Sequence, residues 1–176
     1  EDPYMDEDHR RCHARLHSLA QAAVSRYCHR IHFFSSEVGR KDIQEPTAKA
    51  TESYMGMCVW RPLNAYPIGR TILSDKIMSN SVTHDSQSFL TCKTKYQVHI
   101  AGSEFVVTGA PFIQQDHMVA ACATAAIWMA QWQMSARFAE FRRYYSPDIT
   151  EAATAYDVSA GRAIPSEGLV NSQILQ

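Results

Sequence analysis

The chain has no block of like charge, no CxxC pair, no strongly apolar run and no histidine after His117. Each of these absences narrows what it can do. With 17 Lys+Arg against 18 Asp+Glu the formal net charge is -1, and both signs are mixed along the whole length. Such a balance leaves no electrostatic footprint for wrapping nucleic acid or coating an anionic membrane, so neither partner is expected. The five cysteines, Cys12, Cys28, Cys58, Cys92 and Cys122, are odd in number and form no CxxC spacing. Neither a disulfide framework nor a zinc ribbon fits that pattern, and a reducing, cytoplasmic setting is expected.

The longest stretch free of Asp, Glu, Lys and Arg runs from His117 to Ala136. It is built mainly from Ala and broken by Thr124, Gln131, Gln133 and Ser135, whereas a membrane span needs about 20 strongly apolar residues. A buried helix explains it better. The chain opens at Glu1 with no basic-then-apolar leader, so no signal peptide is expected within it. His9, His13 and His17 are spaced four apart, as are Cys28 and His32, and such pairs could ligate a metal from one side of a helix. Yet His9 falls on the apolar side with Leu16 and Tyr27, while His17 lies near the polar edge. No metal and no other cofactor is expected.

What the sequence does contain is enough for a core: 45% of its 176 residues are apolar. From Asp6 to about Phe34, apolar residues at Leu16, Ala20, Ala23, Tyr27, Ile31 and Phe34 recur every three or four positions, which predicts an amphipathic helix. Ser35 to Ser53 is polar, holds Gly39 and Pro46, and reads as a connection. Strand signals follow at Met57–Trp60, Arg70–Leu73, Phe89–Thr94, Tyr96–Ile100 and Phe105–Thr108, with Ala101-Gly102-Ser103 turning the clearest hairpin. Ser79 to Ser88 reads as an exposed loop. Cys58 and Cys92, inside strand candidates, read as core. Helix returns from Val119 to about Tyr145, as one run or as two segments meeting near Ser135, ended by Ser146-Pro147-Asp148, with a short helix over 149–156 and another starting at Ser166. Trp128, Met129 and Trp132 form a core stripe on the long helix.

The most informative segment is Pro111-Phe112-Ile113-Gln114-Gln115-Asp116-His117-Met118-Val119-Ala120-Ala121-Cys122. A strand end delivers two glutamines, and a cysteine then follows early in a nearly all-apolar helix. A thiol near a helix N-terminus feels the positive end of the helix dipole, which favours the nucleophilic thiolate. A glutamine just upstream can aim its amide NH2 at the oxyanion formed when that thiolate attacks a carbonyl. Asp116 reads as an N-cap.

These residues resemble the papain-like cysteine peptidase superfamily, and within it the bacterial C39-like branch. Gly161-Arg162-Ala163-Ile164-Pro165-Ser166-Glu167-Gly168-Leu169 looks like the loop and small helix that follow the central helix there. The resemblance covers roughly residues 110–176. It implies a papain-like α+β fold over 54–176, in which a central buried helix (119–134) packs on an antiparallel sheet (55–110); the sequence pattern adds residues 1–53 as an amphipathic helix and a polar connection. It implies a cysteine hydrolase, most naturally a peptidase acting on a protein or peptide, with Cys122 as nucleophile and Gln115, or Gln114, as oxyanion donor. The spacing departs from the family pattern, since Gln115 stands seven before the cysteine and Ala123 replaces a usual glycine. The family's general-base histidine comes after the nucleophile and is therefore expected beyond Gln176, in a C-terminal part missing from this polypeptide. A catalytically silent papain-like module that binds a protein partner is the alternative, and acyl transfer would use the same thiol chemistry.

Overall fold

A computed structural model describes residues 1–17, 24–79, 92–115 and 122–159. Its centre is a curled five-stranded antiparallel sheet with spatial order β1-β2-β3-β5-β4, made of β1 (His29–Phe34), β2 (Tyr54–Trp60), β3 (Ile68–Ser74), β4 (Thr94–Ile100) and β5 (Ser103–Phe112). The helices are α1 (Glu7–Cys12), α2 (Arg40–Gln44), α3 (Ala48–Ser53), α4 (Lys76–Ser79), α5 (Cys122–Arg137) and α6 (Ser146–Ser159). The α+β class expected from the sequence is present.

The β4–β5 hairpin forms where turn chemistry places it. Ile100 pairs with Ser103 across the two-residue turn Ala101-Gly102, whose φ angles of 49° and 90° are both positive. That backbone matches the right-handed twist of paired strands and suits glycine at the second position. Residues of alternating parity then point to one side: Tyr96, Val98 and Ile100 from β4, with Phe105 and Val107 from β5, are all buried. Met57, Val59 and Ile72 complete that inner face, and α5 covers it with Ala125, Trp128 and Trp132. Trp128 is fully buried and its ring centroid lies 4.3 Å from that of Trp132, so the expected aromatic stripe is core.

Two glycines let the strands approach. A Cβ on Gly109 would lie 2.0 Å from the Leu73 carbonyl oxygen, and one on Gly56, whose φ is 120°, 2.1 Å from that of Ile72. Any side chain at either place would force β3 away from its neighbour.

Four expectations need correction. Among the described residues, the helix expected from Asp6 to Phe34 is α1 extended by a π-helical stretch over His13–His17, and residues 29–34 are a strand instead. Tyr27, Ile31 and Phe34 imitate a helical period, but Ile31 and Phe33 face outward while Arg30, His32 and Phe34 turn inward, and pairing with β2 decides the state. The polar stretch 35–53 holds two short helices. Asp42 accepts from the Gly39 amide at 3.0 Å, and Thr47 caps the second by accepting from the Ala50 amide at 3.2 Å.

The long helix ends at Arg137, close to the break near Ser135 that the sequence offers, but Ser146-Pro147-Asp148 opens α6 where it was expected to close a helix. Proline is tolerated in a first helical turn because its missing N–H would have no intrahelical partner there. Finally, Cys92 is exposed, whereas Cys58 is buried in β2 as expected and its sulfur accepts from the Thr71 hydroxyl at 3.2 Å. The loop at 79–88, the start of the candidate strand at 89, Asp116, positions 119–121 of the central helix and the segment 161–176 lie outside the described residues, apart from the backbone of Ser79.

Candidate functional site

The end of β5 and the start of the described part of α5 come together at one pocket of about 400 Å³. Phe112, Ile113, Gln114 and Gln115 reach it from the strand side, Cys122, Ala125 and Met129 from the helix, and Tyr66 from the loop before β3. The two helical positions after Cys122 follow from geometry, because residues three and seven further along share its helix face. Both candidate glutamines and the candidate cysteine therefore line the same cavity.

Their environments differ. Gln114 is stitched to the first residue of β3: its amide donates to the Ile68 carbonyl at 3.2 Å, and its side-chain Oε1 accepts from the Ile68 amide at 2.9 Å. Its own carbonyl accepts from Arg61 Nη2 at 3.3 Å, and the same guanidinium holds the Tyr66 carbonyl at 2.7 Å. Gln115, one residue on, is exposed. So is Cys122, in contrast to the buried Cys12, Cys28 and Cys58. Burial pushes the Cys28 thiol up to about 12, which keeps it protonated and unreactive.

The lining carries no charged side chain. A carbonyl compound entering it would meet amides, a thiol, a thioether and aromatic rings. Tyr66 was not singled out in the sequence; it sits between Pro62 and Pro67 with φ at 61°, a left-handed conformation uncommon outside glycine. Arg61 ties that loop to Gln114 and was equally unmarked. In the sequence, Pro62 and Pro67 are the residues that mark a bend there.

The histidines described lie elsewhere. His9 and His13 each hold a backbone carbonyl, of Ser25 and Val24, both at 2.8 Å, so these two histidines tie α1 and the π-helical stretch to the chain that leads into β1. Burial holds His9 below the usual histidine range. His32 contacts the Tyr54 hydroxyl and the Glu1 carboxylate, each at 3.1 Å, and is also held low by burial. His99 stands 3.9 Å from Glu104 on the hairpin. None of these lines the Cys122 pocket, and His84 and His117 lie outside the described residues. Among the described residues no group of three or more His, Cys, Asp or Glu side chains could hold a metal ion, and no helix is long and apolar enough to cross a membrane.

No protein-family model, no curated protein and no solved structure matches this chain.

Proposed function

We propose that the chain is a cysteine hydrolase of papain-like type, acting on a protein or peptide, with Cys122 as nucleophile and Gln115 as oxyanion donor. The observation that carries this reading is that Cys122 and Gln115 are both exposed and line one uncharged cavity. Attack of the thiolate on an amide or ester carbonyl forms a C–S bond and moves an electron pair onto oxygen. An amide NH2 facing that oxygen stabilises the charge as it develops, and does so most strongly where few waters compete. Gln115 suits the task better than Gln114, because it is exposed at the cavity whereas Gln114 is half-buried with its side chain tied to the first residue of β3. The leaving amine takes a proton from a general acid, which in the resembling family is a histidine placed after the nucleophile.

Alkylation by iodoacetamide, followed residue by residue by mass spectrometry, tests the reading. Cys92 is the internal control, being the other exposed thiol among those described. Cys122 is expected to alkylate about tenfold faster than Cys92 at neutral pH, as an activated thiolate does. Labelling no faster than Cys92 would sink the hydrolase and leave the silent, protein-binding module.

A further inference from the structure

A second cavity, of about 670 Å³, opens at the other end of α5. It lies in the gap between the two edges of the curled sheet, where β1 and β4 face one another, and its volume falls in the range of small-molecule sites, roughly 300–1,000 Å³. Four cations line it: Arg30 from β1, Arg70 from β3, Lys95 from β4 and Arg143 from the segment after α5. No carboxylate does. In a chain with nearly equal numbers of acidic and basic residues, that one-sided lining is a local concentration of charge, not a reflection of composition.

The three arginines are held in place by their surroundings. Tyr4 accepts at its hydroxyl from Arg70 Nη2 at 2.9 Å and from Arg30 Nη1 at 3.3 Å, so one phenol spans two guanidinium groups and keeps its own proton to donate. Arg30 also donates to the His99 carbonyl across the gap and pairs with Glu1. Asp6 Oδ2, beneath the site, lies 2.9 Å from Arg70 Nη2. Arg70 and Arg143 both lie over the Trp132 ring, at 5.2 and 5.1 Å from its centroid. The segment bearing Arg143 is clamped to α5, because Gln131 donates to the Tyr144 carbonyl at 2.7 Å and accepts from its amide at 3.0 Å.

Glu1 and Asp6 offset Arg30 and Arg70, which leaves Lys95 and Arg143 without an acidic partner among the described residues. Two buried donors on residues of the lining, Trp132 Nε1 and Arg70 Nε, have no acceptor, although Trp132 is only 3% exposed. Buried donors in folded proteins are normally satisfied, and both of these call for an acceptor. Cations reach the cavity from three strands and one loop, a spread that matches the several faces of a phosphate better than the single plane of a carboxylate.

We propose that this cavity binds a phosphorylated small molecule, with Arg143 and Lys95 as the charges that recognise it and Arg70, Tyr4 and Trp132 as its preorganised floor. The site is separate from Cys122 and does not depend on the role given to that thiol.

Isothermal titration with inorganic pyrophosphate at fixed ionic strength tests it, using the full chain, Arg143→Gln and Lys95→Gln. Both substituted side chains are exposed, and thermal unfolding confirms that the variants fold. Lys41→Gln and Lys49→Gln, on α2 and α3 and outside the lining, serve as controls. Saturable binding weakened about tenfold by each pocket variant and unchanged in the controls is expected, since a charge-assisted contact is lost in each. No saturable binding, or equal weakening in the controls, overturns the site. Citrate binding more tightly than pyrophosphate overturns the phosphate assignment.

Discussion

Asp8 and Ser146 stand 138 positions apart, yet the Ser146 amide donates to Asp8 Oδ1 at 3.1 Å and its hydroxyl to Oδ2 at 3.4 Å. The first helix thus caps the last one. The carboxylate occupies the position that a local N-cap side chain would otherwise take, and does so with only 3% of its residue surface exposed.

That burial, reinforced by the charge of Asp6, pushes the Asp8 carboxyl up from 3.8 to about 7. Between those two values the folded chain holds a proton that the unfolded chain has released. The stabilisation is therefore fully present below about pH 4 and is lost as pH rises through 7. Asp8→Asn still accepts from the Ser146 amide and cannot ionise, so its melting temperature is expected to change less between pH 5 and pH 8 than that of the parent. Parallel melting curves for the two proteins across that range would show that Asp8 does not titrate there.

The two neighbouring glutamines separate structure from chemistry. Gln114→Ala removes the acceptor for the Ile68 amide and is expected to lower stability by about 1–2 kcal/mol, the cost of an unmatched backbone donor. Gln115→Ala should leave the denaturation midpoint where it is and slow turnover of an activated ester about a hundredfold, the effect of removing one oxyanion donor. Equal turnover by the parent and Gln115→Ala, with Cys122→Ala inactive, would reassign the oxyanion donor to another group.

Gly109→Ala tests the close approach of β3 and β5. A methyl group 2.0 Å from the Leu73 oxygen cannot be housed without parting the strands, so a loss of about 1–3 kcal/mol in chemical denaturation is expected. Gly102→Ala meets no atom within 4 Å and should show only the smaller penalty of its positive φ, roughly 1 kcal/mol. A reversed order of the two would mean that the hairpin turn, not the strand contact, limits stability.

Legibility in the sequence followed the range of the interactions. The β4–β5 hairpin is local: two alternating runs and a turn that accepts positive φ lie within about twenty residues, and register follows from the turn alone. The apolar face of α5 could likewise be read from Trp128 and Trp132. By contrast, the apolar residues of β1 match a helical period, and the decision for strand rests with β2, from Tyr54 to Trp60. The start of α6 was misread because Ser146-Pro147 can close one helix or open another, and Asp8, far upstream, selects the second.

The two cavities divide along the same line. The sequence by itself determined the residue types at the first: two glutamines at a strand end and a cysteine in an alanine-rich helix. Only the tertiary structure decided that Cys122 is exposed while Cys12, Cys28 and Cys58 are not, and that Gln114 is spent on Ile68. It alone brought together Arg30, Arg70, Lys95 and Arg143, which are scattered over 114 positions and have no spacing to betray them. Side-chain periodicity records which face of an element is buried; it holds no record of which distant element buries it, and the curl of the sheet supplies that.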